Sequence, residues 1–244
     1  MITLCFDFGN TRQKCAVFNK DKLTEIIILT EDLLQSVPDL LKKYHPYKTI
    51  LSSVINHDPA IDEILRTTAS HHQLSARSRL PFTTPVSKPE TIGADRLAAS
   101  AAACSLFRDQ NNLVIVLGSC ITYNMVNKYR QFLGGGISPG MEMRFKSLNT
   151  FTARLPLISP VNDIPLIGYD TRTNILSGVI IGMAKEIDGV IDEYSKKYLN
   201  FNVLLTGGDI AYFARHLKNK IFADPDLIFK GLYAISEHNE DIKI

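Results

Sequence analysis

Asp7-Phe8-Gly9-Asn10-Thr11-Arg12-Gln13-Lys14 follows the apolar run Ile2 to Phe6 and precedes a second apolar run, Cys15 to Phe18. The pattern is strand, tight polar turn, strand. A carboxylate at the end of the first strand can face a hydrated Mg²⁺, Gly9 lets the backbone approach a phosphate, and Asn10, Thr11 and Lys14 supply donors. The phosphates of ATP are the expected ligand. The same residues also read as an ordinary hairpin, since Gly-Asn between apolar runs is a common turn signal. A second copy tips the balance toward a ligand: Leu113 to Leu117 leads into Gly118-Ser119-Cys120-Ile121-Thr122 and then Tyr123 to Val126. Two such units in one chain predict a duplicated fold with two phosphate-facing hairpins.

Gly93-Ala94-Asp95-Arg96 opens a run of strong helix formers, Leu97 to Ala103. Asp95 then lies in a first helical turn. It reads either as a residue favoured at the positive helix end or as a general base that accepts an alcohol proton during phosphoryl transfer, with Arg96 steadying substrate or charge. Gly134-Gly135-Gly136-Ile137-Ser138-Pro139-Gly140-Met141 carries too little side-chain bulk for a packed element, so a ligand-adjacent loop is expected. Thr206-Gly207-Gly208-Asp209 follows the strand-like Val203 to Leu205 and leads into the helix-like Ile210 to Leu217. That arrangement predicts a nucleotide contact at a helix N-terminus.

The elements that must position these residues form an α/β pattern. Leu23 to Leu29 reads as a strand, Glu31 to Tyr44 as a helix and Thr49 to Val54 as a strand. Pro81, Pro85 and Pro89 make Leu80 to Ile92 a loop that leads into the Asp95 motif. Asn174 to Tyr198 has apolar residues at helical spacing and is expected to be a core helix. A length of 244 residues with 45% hydrophobic residues suits two halves, divided as 1–108 and 109–244. With 27 basic and 25 acidic side chains spread along the chain, no basic arm points to nucleic acid. No apolar stretch approaches the roughly 20 residues that span a bilayer. Cys5, Cys15, Cys104 and Cys120 form no C-x-x-C pair and read as small core residues; with no leader-like N-terminus, a reducing cytoplasm is expected.

Together with Thr152-Ala153-Arg154-Leu155-Pro156 and Ile167-Gly168-Tyr169-Asp170-Thr171, these motifs stand in the order found in the type III pantothenate kinases, which the chain resembles over nearly its whole length. The resemblance implies duplicated ribonuclease-H-like halves of the actin, sugar kinase and Hsp70 type with a central ATP cleft. It implies ATP-dependent phosphorylation of pantothenate to 4'-phosphopantothenate, the first step of coenzyme A biosynthesis, by a cytoplasmic homodimer using Mg²⁺ and a monovalent cation, K⁺ or NH₄⁺. Carried over by position, Asp7, Phe8, Gly9, Asn10, Thr11, Arg12, Gln13 and Lys14 bind the ATP phosphates, with Asp7 holding Mg²⁺ through water. Ser119 stands for a phosphate-binding Thr. Asp95 is the catalytic base; Gly93, Ala94, Asp95 and Arg96 hold pantothenate, and Thr171 matches a substrate-contacting Thr.

The chain also departs from the pattern. Where the resemblance leads one to expect an Asp ligand of the monovalent cation stands Val116, which cannot coordinate K⁺. Asn124 replaces an Asp, and Val86 replaces a substrate-touching Tyr. Three readings remain: a kinase without the usual monovalent-cation site, a kinase for a related small alcohol, or a non-catalytic relative that binds nucleotide or pantothenate as a regulatory protein. Asp7, Lys14, Asp95 and Arg96 together favour an enzyme.

Overall fold

Alternation of side chains organises the first sheet. On β1 (Ile2–Phe8), Leu4, Phe6 and Phe8 join Cys15 and Val17 of β2 (Gln13–Asn19) in a buried cluster, so Thr3, Cys5 and Asp7 project from the opposite face. β3 (Lys22–Ile28) pairs antiparallel with β2. Next comes α1 (Leu33–Tyr44), whose N-cap Asp32 accepts a hydrogen bond from the Gln35 amide at 3.1 Å. β4 (Lys48–Ser53) runs parallel to β1, and after α2 (Pro59–Thr68) the strand β5 (Ser70–Gln73) completes the order β3-β2-β1-β4-β5. A stretch with only a short 3₁₀ turn at Pro89–Thr91 then leads into α3 (Ala94–Leu106), as the three prolines predict.

The second sheet repeats the first. β6 (Asn111–Leu117) and β7 (Cys120–Val126) form an antiparallel hairpin, followed by β8 (Phe132–Pro139). Helices α4 (Met141–Thr150) and α5 (Thr171–Leu176), a π-helical turn at Ser177–Ile181 and α6 (Gly182–Lys197) follow. They precede β9 (Phe201–Thr206), α7 (Ile210–Phe213), β10 (Phe222–Ala223) and α8 (Leu227–His238). The order is β10-β9-β6-β7-β8, with β9 parallel to β6. Substituting β6 for β1, β7 for β2 and β9 for β4 reproduces the first sheet, so the duplication expected from the two hairpins is present in the topology. Ile175, Val179, Ile180, Met183, Ile187 and Ile191 from the expected long helix are all buried in this unit's core. The π-turn inserts within that run and shifts its register without ending it.

The computed structural model describes residues 1–239. They divide into two compact units. One comprises Met1–Asp109, Tyr129–Leu133 and the segment from Asp226 onward; the other comprises Gln110–Lys128 and Gly134–Pro225. The last helix is therefore grouped with the first unit, a placement that a linear division at 108/109 does not contain. Among the described residues no helix is long and apolar enough to cross a membrane.

The composition of α3 follows from its contact with α8. Ala98, Ala99, Ala101, Ala102 and Ala103 are fully buried, and Gly231 of α8 lies so close that a Cβ there would sit 1.8 Å from the Ala98 carbonyl oxygen. Backbone cannot yield as a flexible side chain does. Gly231→Ala is therefore expected to force the helices apart and destabilise the protein by about 3 kcal/mol. A urea midpoint unchanged from wild type would contradict this packing.

The glycine-rich segment differs from expectation. Gly134 to Pro139 is strand β8, not a loop. The glycines are required by the strand's surroundings: Gly134 has φ +94°, and a Cβ on Gly135 would lie 1.9 Å from the Tyr123 carbonyl oxygen on β7. Arg144 of α4 ties down the strand's end, donating to the Pro139 carbonyl at 2.8 Å and to Ser138 Oγ at 3.0 Å, and pairs with Glu186. At Gly135 the close neighbour is the chain's own backbone, whereas a Cβ on Gly134 would meet nothing within 4 Å. The helix expected over Ile210 to Leu217 is also shorter, with one α-helical turn at Ile210–Phe213 followed by 3₁₀ geometry at Ala214–His216.

Candidate active site

Asp7 stands at the end of β1 with Lys14 directly opposite on β2 and Ser52 directly opposite on β4. Residues in register share a face, so the three form a row across three strands. Ser52 Oγ donates to Asp7 Oδ1 at 3.3 Å. Burial, followed by the negative charge of Asp95, pushes the Asp7 carboxyl up to about 6, against the smaller opposing effects of Ser52 and Lys14. The turn beyond is closed by the Gly9 amide donating to the Arg12 carbonyl at 3.2 Å and by Gln13 Nε2 donating to the Gly9 carbonyl at 3.0 Å. Asn10, Thr11 and Arg12 are exposed; Gly9, Gln13 and Lys14 are half-buried, and Phe8 is buried core.

Asp95 is the second residue of α3, after the N-cap Gly93 and Ala94. Burial raises its carboxyl above the ordinary range, opposed by the backbone amides of Arg96 and Asp95 itself and by the Arg96 charge. It is thus held at a helix N-terminus, as the structural reading of the sequence expects. It is also desolvated, and its charge acts on Asp7, the kind of perturbation that clusters at functional sites. A Cβ on Gly93 would lie 2.6 Å from Asp95 Oδ1, whereas no other atom comes within 3.8 Å. Gly93→Ala is expected to displace the carboxylate without disturbing the backbone. Turnover should fall on the order of 10-fold or more while stability stays within about 1 kcal/mol. Equal turnover in the variant would show that the position of Asp95 is immaterial.

Ionised Asp7, which burial and the Asp95 charge both disfavour, would be relieved by a hydrated divalent cation. Among the described residues no group of three or more His, Cys, Asp and Glu could hold a metal ion; Mg²⁺ bound by one or two carboxylates keeps several of its waters. The second hairpin offers different chemistry. Val116 occupies on β6 the place that Asp7 occupies on β1, two residues before the turn glycine, and it faces Thr122 on β7 and Thr206 on β9. All three are buried, and the Thr206 hydroxyl has no hydrogen-bond partner. Asn124 Nδ2 donates to Thr122 Oγ1 at 3.0 Å and to the Val114 carbonyl at 3.2 Å. This face supplies hydroxyls and methyls where the first supplies a carboxylate, and it does not fit a K⁺ site built on an acidic ligand. Ser119 is exposed in the turn, and its carbonyl accepts from the Gly140 amide at 3.0 Å.

Thr171 is the exposed first residue of α5, which is set by a capping box in which Asp170 accepts from the Thr173 amide at 2.7 Å. The four-residue α7 after Gly207 and Gly208 is too short to act as a helix-terminus anion site. Val86 is half-buried in the proline-rich loop. Ser52 stands in none of the sequence motifs. Its signal is weak, because parallel pairing of β4 with β1 brings together residues 45 positions apart with no local pattern to mark them.

A family model described as type III pantothenate kinase matches residues 3–193. A type III pantothenate kinase from Christiangramia forsetii is 41% identical over 241 residues, covering 98% of this chain and 99% of that protein. One from Phocaeicola vulgatus is 39% identical over 242 residues, covering 99% and 100%. Among solved structures, a glucokinase from an Antarctic psychrotroph has a TM-score of 0.53 at 8% identity, covering 97% of this chain and 98% of that one. That likeness concerns the fold, which is the α/β architecture of the sugar kinases. Motif order, duplicated topology and full-length similarity agree, and the chain belongs to the type III pantothenate kinase family.

Proposed function

We propose that this protein transfers the γ-phosphoryl group of ATP to the primary alcohol of pantothenate, giving 4'-phosphopantothenate, the first step of coenzyme A biosynthesis. The observation that carries the reading is Asp95, a desolvated carboxylate on the first turn of α3 whose charge acts on Asp7, in a chain of this family. Asp95 accepts the alcohol proton as the oxygen attacks, and its raised proton affinity makes it a better base than an ordinary carboxylate. Gly93, Ala94 and Arg96 hold the substrate, with the Arg96 guanidinium meeting the pantothenate carboxylate; Thr171 adds a further contact. Asp7 holds a hydrated Mg²⁺, and Phe8 to Lys14 with Ser119 cradle the phosphates through backbone amides, hydroxyls and the Lys14 ammonium. When bound, Mg·ATP supplies the phosphoryl group and the charge that balances it. No covalent nucleophile is needed.

Exposed Phe151, Leu157, Leu166, Ile167 and Tyr169 on the second unit support a homodimer, since large apolar side chains gathered along one segment mark association surfaces. The free cysteines suit a cytoplasmic setting. The halves 1–108 and 109–244 are the units of duplication in this reading, each carrying one hairpin. Monovalent cation is dispensable, because Val116 has replaced the carboxylate position of the second hairpin.

The test is to incubate the purified protein with Mg·ATP and pantothenate and to follow phosphopantothenate by mass, in K⁺ and in Na⁺ at equal ionic strength. Product is expected in both, at rates within about twofold. ATP binding without product would favour a non-catalytic relative, and product from another small alcohol alone would reassign the substrate. A steep K⁺ requirement would contradict the role given to Val116.

A further inference from the structure

The Arg96 guanidinium lies over the ring of Phe132, 5.6 Å from its centroid. Phe132 is 1% exposed and packs against Phe82, ring centroids 6.1 Å apart. Around this pair the backbone is doubly tied: the Thr83 amide donates to the Arg130 carbonyl at 2.9 Å, and the Phe132 amide donates to the Thr83 carbonyl at 2.9 Å. All these residues belong to the first unit. The proline-rich loop, the start of β8 and the first turn of α3 therefore meet at one aromatic face. A cation over the centre of an aromatic ring is held by the ring's quadrupole, and a ring without freedom to move confines the cation in turn.

We infer that Phe132, braced by Phe82, is a positioning residue that presents the Arg96 guanidinium to the carboxylate of the alcohol substrate, and so sets the preference for an acid over its neutral analogues. The inference rests on the proposed pantothenate kinase activity and adds a residue that none of the motifs contains. Arg96 has a long, flexible stem, and its fork pairs well with a carboxylate only in a narrow range of orientations. An aliphatic side chain at 132 would fill space but would not hold the guanidinium plane.

The experiment compares kcat/KM for pantothenate and for its uncharged primary amide in wild type, Phe132→Leu, Arg96→Gln and the double variant. Phe132→Leu is expected to reduce the preference for the acid by on the order of 10-fold, through KM for pantothenate, leaving KM for ATP and kcat/KM for the amide within about twofold. In the Arg96→Gln background the same change should have no further effect on preference. Phe132→Tyr, which keeps the ring, should retain most of the preference. Should Phe132→Leu not fold, Phe132→Met supplies similar volume without a ring. Equal losses for acid and amide, or an unchanged preference, would overturn the inference in an otherwise active enzyme. A wild-type protein inert toward pantothenate would overturn the parent reading and this inference with it.

Discussion

Asp95→Asn is expected to lower kcat by about 10²- to 10⁴-fold while leaving ATP affinity within a few-fold of wild type. The substitution preserves the size of the side chain and its place at the start of α3, and it removes the basic oxygen. Because Asp95 sits at the favourable end of the helix dipole, Asn forfeits only a small stabilising interaction there, so the protein should remain folded. The pH profile adds an independent check. Burial holds the Asp95 carboxyl above the ordinary range, so wild-type activity should fall in acid at a higher pH than a solvated aspartate would give. Asp7 titrates nearby, so the acid limb belongs to the pair and not to either residue alone. Steady-state rates from pH 4.5 to 8 and nucleotide titration of both proteins test this. Undiminished turnover in the variant would remove Asp95 from the chemistry.

Asp7→Asn should abolish most turnover and yet stabilise the metal-free protein near neutral pH. The folded-state carboxyl is raised to about 6 from an ordinary 3.8, so its contribution to stability is full below 3.8 and is lost as pH rises through 6. Above that pH the ionised group is a burden of about 2–3 kcal/mol. Asparagine keeps an acceptor for Ser52 Oγ and carries no charge. The gain over wild type should therefore grow between about pH 4 and 6 and level off above. Mg²⁺ with nucleotide should shrink the difference by stabilising wild type preferentially. Urea unfolding at pH 4.5 and 7.5, with and without Mg·ATP, measures both effects. A variant less stable than wild type at pH 7.5 in the absence of metal would show that Asp7 ionises without penalty.

Legibility varied with the range of the interaction involved. The hairpins at Gly9 and Gly118 were readable because a short turn between apolar runs is encoded within a dozen residues, and the breaker-rich stretch before Asp95 was readable for the same reason. The start of α3 was legible from Gly93 and the alanines after it; that Ala98 packs under Gly231 was not, since 133 positions separate them. The segment from Gly134 to Pro139 misled because glycine is the residue of loops in a local reading. Here it marks a strand whose neighbour, Tyr123 on β7, leaves no room for a Cβ. Of the three glycines, Gly135 marks the close approach to backbone, at the Tyr123 carbonyl.

The residue types that make phosphoryl transfer feasible, the two glycine turns between apolar runs and the valine two residues before the second turn glycine are all legible without a structure. These are covalent facts or local turn chemistry, and they need no partner from elsewhere in the chain. Long-range packing alone brings Ser52 beside Asp7, buries the Asp7 and Asp95 carboxyls so that both are raised, sets Phe132 beneath Arg96 and groups the last helix with the first unit. Each of these depends on parallel strand register or side-chain packing between distant segments, and the free energy that selects them comes from burial and exclusion of water, which no local pattern records.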